Sequence, residues 1–265
     1  MLVRGEKNVF FVMDLAGQQR AYFGRLKHHE RFCWQTEDPF VMAREHQTTL
    51  PLVQAIQKLH ERLKRPLRLL ESGCGEGVNL KYLRQLGLDE TIVHLEGVDF
   101  SPEAVTEAVS QGFQAQVADG LALPFADQSF DIVFCRDVLH HLENDDQREK
   151  FFSEMWRVAR TPGLVAAIEP NPWNFMIFAL SVFIPAEKGL RAITQSRLTA
   201  LFPRVAVEYS APSSAWRLLC HYRSPLRKRM ITPFVHWILT IWEFLCRKSP
   251  KRFWSYRIYL WNKPH

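Results

Sequence analysis

The five cysteines of this chain, Cys33, Cys74, Cys135, Cys220 and Cys246, are scattered and never form a C-x-x-C pair. That leaves no framework for a disulfide-stapled fold and no spacing for a zinc ribbon, so a reducing compartment and no metal are expected. Long hydrophobic runs are missing as well. The apolar stretches Trp173–Pro185 and Phe234–Cys246 fall short of the ~20 residues that cross a bilayer, and no transmembrane helix is predicted. At the N-terminus Asp14 interrupts the apolar run Val9–Met13, too early for the core of a secretion signal. No Gly-Lys-Ser/Thr follows a glycine loop, which excludes a P-loop. Internal repeats and low-complexity segments are absent.

Acidic residues are scarce at one end. From Ser213 onward eleven lysines and arginines face Glu243 alone, a charge of +10 within a chain whose total is +6. The residues before Ser213 are therefore net acidic, and the two parts face different surroundings. Six of the eight tryptophans lie after residue 170. With 265 residues, 47% of them apolar, the chain can bury a sizeable core unaided.

Residues 9–64 read as mostly helical, with Leu52, Ile56, Leu59 and Leu63 at helical spacing until Pro66. Strands and helices then alternate, as in a parallel sheet with crossover helices. Strands are expected at Leu67–Glu71, Thr91–Asp99, Phe113–Ala118, Phe130–Cys135 and Leu164–Glu169, and a last pair at Val205–Ser210 and Tyr256–Trp261. Ser101 is placed to cap a helix that starts at Pro102. An amphipathic helix is expected over Asp146–Arg160. Residues 1–64 read as a helical lid segment, 65–265 as the main domain, and about 211–255 as a basic, tryptophan-rich cap insertion.

The chemistry concentrates at strand ends. In Glu71-Ser-Gly73-Cys-Gly75-Glu-Gly77 a strand runs into closely spaced glycines and then a helix. Such a loop either cradles a ligand at the sheet's carboxyl edge or is an ordinary tight turn. Asp99 ends the second strand, where a carboxylate can accept both hydroxyls of a ribose. Asp119, followed by Gly120 and Leu121, ends the third, where an adenine edge would lie. Each is also readable as a solvated turn carboxylate, but three acidic strand ends in this order form a sharper signal.

These segments, with Gly97-Val-Asp-Phe-Ser101, Pro124-Phe-Ala-Asp-Gln-Ser-Phe-Asp131, Val138-Leu-His-His-Leu142 and Trp156-Arg-Val-Ala-Arg160, carry a family resemblance. Over roughly residues 65–170 the chain resembles class I S-adenosylmethionine (SAM)-dependent methyltransferases of the type 11, ubiquinone/menaquinone-like group. The resemblance implies an α/β, Rossmann-like, seven-stranded doubly wound sheet with its last strand pair antiparallel. It implies SAM as cofactor and S-adenosylhomocysteine as product. Glu71 and the backbone of Gly73 would hold the methionine part, in a loop completed by Gly75 and Gly77. Asp99, with Phe100 beside it, would meet the ribose, and Asp119, Gly120 and Leu121 the adenine. Arg136 would reach the methionine portion. Glu71 stands where the family more often has Asp, which keeps the carboxylate.

A sulfonium methyl is already activated, so alignment and exclusion of water supply much of the rate. If the acceptor must lose a proton, His140, His141 and Glu169 are the candidate catalytic groups; the histidine pair also reads as a structural helix start. The Asn-Pro of Glu169-Pro-Asn-Pro-Trp-Asn174 lies after the fifth strand, not the fourth, which disfavours methylation of nucleic-acid bases. The expected acceptor is a small hydrophobic molecule (a quinone, isoprenoid or lipid precursor), with nucleic acid an unlikely partner. The basic C-terminal part suggests a cytoplasmic protein in peripheral contact with the inner membrane surface. A helical cap packed on the sheet explains the same residues. The alternatives are a non-catalytic SAM-binding protein that docks on a membrane or RNA, and an RNA methyltransferase.

Overall fold

The computed structural model describes residues 39–183, 185–202, 206–209, 237, 240, 241, 244, 245 and 247–263. Residues 1–38 of the expected lid segment and 210–236 of the expected cap lie outside the described residues. Helix α1 spans Pro39–Leu63 and leads into β1, Leu67–Ser72. Then follow α2 (Val78–Gln85), β2 (Val93–Asp99), α3 (Pro102–Ser110) and β3 (Gln114–Val117). Strand β4 (Phe130–Arg136) ends in a 3-10 turn at Leu139–His141. Helix α4 (Asp145–Val158) runs directly into β5 (Ala159–Pro170). After α5 (Phe175–Phe183), a 3-10 segment (Pro185–Ala192) and α6 (Gln195–Leu201) come β6 (Ala206–Tyr209) and β7 (Tyr256–Lys263). No described helix is long and apolar enough to cross a membrane.

The sheet order is β3-β2-β1-β4-β5-β7-β6. Strands β1 to β5 are parallel, and β7 runs antiparallel to both β5 and β6. Alternation along each strand divides the core between the two faces. Leu67, Leu69, Ile132, Phe134 and Ile168 pack with Leu52 and Ile56 of α1 and Leu80 and Leu83 of α2. Leu70, Val133, Cys135, Val165 and Ala167 pack with Phe151 and Met155 of α4 and Leu198 of α6. The expected cap on α3 is present: the Ser101 hydroxyl accepts from the Ala104 amide.

Strand order reverses between β1 and β4, which lie side by side while their helices leave in opposite directions. Ligands of open α/β sheets bind at such a switch point, outside the carboxyl ends of the strands.

The opposite edge is held by charge. Asp131 at the start of β4 is fully buried, and it accepts from both Arg65 terminal nitrogens (2.9 and 2.6 Å), the Arg68 amide (2.8 Å) and Arg160 (3.0 Å). Burial opposes its ionisation, but the Arg65 and Arg68 hydrogen bonds and the Arg160 charge outweigh that and hold its carboxyl below the usual range. Asp131→Ala is expected to destabilise the domain by about 2–4 kcal/mol, because four donors lose their acceptor although the arginines can rehydrate. Because the folded-state value is depressed, this stabilisation is present above the unfolded carboxylate value of about 3.9. It is lost as the pH falls through the lower folded value. Urea unfolding of both proteins at neutral and acid pH checks this: the gap between them should narrow on acidification.

Candidate active site at the switch point

Glu71 is the last inward carboxylate of β1 and is fully buried. Its Oε1 accepts from Asn79 (2.6 Å), whereas Oε2 has no hydrogen-bond partner. Burial pushes its pKa well above the carboxylate range, with Asn79 and the nearby Arg136 charge only partly compensating. On the neighbouring β4, Arg136 is also buried, with Glu45 and Thr49 of α1 taking its terminal nitrogens and Nε left without a hydrogen bond. At the switch point Glu71 Oε2, Ser72 Oγ and Arg136 Nε are buried without a hydrogen bond, Arg136 Nε lying 3.7 Å from Asp137 in an ion pair. Arg136 does two things at once, since it also fastens α1 to the sheet. Glu45 precedes it by 91 positions, and no local pattern in the sequence signals that contact.

The glycine loop is held from below by Asp99. Its Oδ2 accepts from the Gly75 amide (2.8 Å) and its Oδ1 from the Ser101 amide (2.9 Å). Burial raises its pKa, opposed by backbone hydrogen bonds from Ser101, Gly75 and Phe100. Asp99 is therefore first a loop clamp, with three backbone donors on its two oxygens and acceptor capacity left for a further donor. Gly73 has φ +82°, and a Cβ there would lie 2.5 Å from Val138 Cγ2, so the loop and the segment after β4 touch at this point. Gly77 caps α2. Phe100, 40% exposed, stands at the rim beside Asp99. Beyond β3, the exposed Asp119 accepts the Leu121 amide (2.8 Å), and Gly120 lies against Phe151 and the Ser72 hydroxyl.

The expected catalytic trio is rearranged by the structure. Glu169, at the end of β5, accepts from the Val138 and Leu139 amides (2.9 and 2.7 Å) through one oxygen and meets His140 Nδ1 (2.8 Å) with the other. It is 1% exposed. Both of its oxygens are thus engaged in holding the turn after β4 and the His140 ring. His140 is nearly as buried, and its Nε2 lies 3.4 Å from Glu187. Burial opposes its charge, yet the Glu169 and Glu187 hydrogen bonds prevail and raise its pKa. His141, its ring centroid 4.0 Å from that of His140, is shifted the other way, by burial and by the His140 charge.

Glu187 was not foreseen from the sequence. It arrives on the 3-10 segment Pro185–Ala192, which packs on the Leu139–His141 turn because Gly189 lets the backbone meet the His140 carbonyl. Ligand atoms of His140, His141 and Glu187 all lie within 4.8 Å of one another. The expectation of no metal rested on local spacing, whereas this grouping is made by a tertiary contact.

Residues 70–167 match the family model described as a methyltransferase domain. The chain is 37% identical over 90 residues to the probable tRNA methyltransferase 9B of Bos taurus, covering 34% of this chain and 18% of that one. It is 34% identical over 109 residues to norajmaline N-methyltransferase of Rauvolfia serpentina, covering 38% and 34%. It thus spans at most about a third of the length of these relatives. A solved SAM-dependent methyltransferase from Archaeoglobus fulgidus shares the fold, with TM-score 0.52, 16% identity and 79% and 93% of the two chains covered. The expectation that nucleic acid is an unlikely partner does not stand beside relatives named as tRNA methyltransferases.

Proposed function

We propose that this chain, which carries a class I SAM-dependent methyltransferase domain, transfers the methyl group of SAM to an RNA acceptor. The observation that carries the transferase reading is the buried charged pair at the switch point: Glu71 Oε2 and Arg136 Nε make no hydrogen bond, the latter being held only by the Asp137 ion pair. An acceptor and a donor, both buried, match the ammonium and carboxylate of an amino-acid ligand. Glu71 and Arg136 would hold the methionine end, Asp99 and Phe100 the ribose, and Asp119, Gly120 and Leu121 the adenine. Bound there, SAM supplies a methyl group already activated on a sulfonium.

The chain's own work is then orientation and dryness. The Gly73 loop touches Val138, two residues before His140, so the imidazole pair and Glu187 form a wall on the acceptor side of the cofactor site. The RNA reading draws on the relative's name and on the +10 charge after Ser213. A basic segment binds the phosphate backbone and gives affinity that falls with salt.

The test is label transfer from methyl-labelled SAM into cell extract separated into RNA, small-molecule, lipid and protein fractions. Label in RNA, weakened by added salt and lost with Glu71→Gln, is expected. Label confined to the small-molecule or lipid fraction would refute the RNA acceptor and keep the enzyme class. Label nowhere, with SAM bound, would refute transfer.

A further inference from the structure

We propose that His140, His141 and Glu187 form a binding site for one divalent first-row transition ion of the zinc class. This goes beyond methyl transfer and does not depend on it. Two imidazoles and one carboxylate are a donor set that suits such ions, unlike the all-oxygen sets of calcium and magnesium. Their ligand atoms already lie within 4.8 Å of one another. Tetrahedral metal–ligand bonds of about 2.0–2.2 Å place neighbouring ligands about 3.3–3.6 Å apart, so the widest pair closes by up to about 1.5 Å through side-chain rotation when an ion binds.

Three features of the surroundings argue for a built site over a chance cluster. First, Glu169 Oε2 lies 2.8 Å from His140 Nδ1. That fixes the ring with Nε2 turned toward Glu187, 3.4 Å away. A carboxylate on the far nitrogen is the usual support of a metal-binding histidine. Second, Glu169 is itself held by the Val138 and Leu139 amides, so the support is rigid. Third, Gly189 permits the backbone approach that delivers Glu187 to the pair. His141 and Glu187 are only partly buried, which leaves a coordination position for water or an acceptor atom, as in zinc sites that do chemistry.

The competing explanation is a salt-bridged imidazolium, with His140 shared by Glu169 and Glu187 and no ion. The experiment uses the full chain, stripped with chelator and desalted, and titrated with zinc against a chromophoric indicator; cobalt(II) absorption reports ligand number. We expect one equivalent bound. Glu187→Gln and His141→Ala should each weaken binding at least tenfold, and Glu169→Gln by about 10–100-fold through lost support. Glu187→Gln is the primary variant, because Glu187 is partly exposed and the change conserves its shape. A thermal melt of each metal-stripped variant serves as the fold check, and SAM affinity reports separately on the cofactor site. Absence of stoichiometric zinc binding in the wild type would overturn the proposal. So would binding that survives Glu187→Gln and His141→Ala together.

Discussion

Glu71→Gln is expected to weaken SAM binding about tenfold to a hundredfold while leaving the fold at least as stable. A hydrogen bond to a charged group contributes about 1.5–3 kcal/mol, and each 1.4 kcal/mol is a factor of about ten in affinity. Glutamine keeps an oxygen for Asn79 but sets an amide donor in place of Glu71 Oε2, the oxygen without a hydrogen bond. An ammonium ligand then meets a donor in place of an acceptor. Stability should move the other way. Burial raises the Glu71 pKa, so the unfolded chain ionises first, and the wild type loses stability as the pH rises from the unfolded toward the folded value. Glutamine removes that penalty. Binding adds a second signature. Only the ionised carboxylate attracts the ammonium, so wild-type affinity should climb with pH through the raised Glu71 value. Asp99 is raised as well, so the Glu71 contribution is the difference between the two slopes. Calorimetric titrations of both proteins at several pH values, with thermal melts, read all three effects. Equal affinities would remove Glu71 from the methionine site.

Gly73→Ala should damage both stability and cofactor binding. The φ of +82° is one that L-residues with a Cβ rarely hold, and the new atom would stand 2.5 Å from Val138 Cγ2. Left-handed strain of about 1–2 kcal/mol and overpacking of about 1–3 kcal/mol suggest a combined loss of roughly 2–5 kcal/mol. Pairing it with Val138→Ala separates the two, because the double variant relieves the clash and keeps the strain. Partial rescue in urea unfolding is expected. Full rescue would mean that the loop can relax its backbone, and none would mean that the Val138 contact is not the obstacle.

The sheet was legible because its strands are written locally. Phe130–Cys135 is an apolar run between turn residues, and it forms β4 with Arg136 added. The sequence places a helix over Asp146–Arg160 and a strand only from Leu164. In fact Ala159 already pairs with Phe130 across a register shift, before the regular ladder resumes at Leu164. The strand-end acids were legible for the same local reason, each falling where a strand meets a glycine or a helix cap. Roles were not legible. Whether Glu169 is a base depends on the Val138 and Leu139 amides about thirty positions back. Glu187 reads as one polar residue after an apolar helix until Gly189 brings its segment onto the histidine turn. Acceptor chemistry was the least legible, because a tryptophan-rich basic tail suits a membrane, a packed cap and an RNA backbone alike.

The most direct test is the structure of this protein with S-adenosylhomocysteine bound. The account predicts the α-amino group on Glu71 Oε2, the carboxylate toward Arg136, the ribose hydroxyls on Asp99 and the adenine beside Asp119–Leu121. A ligand seated elsewhere, or Glu71 Oε2 left without a partner in the complex, would contradict it.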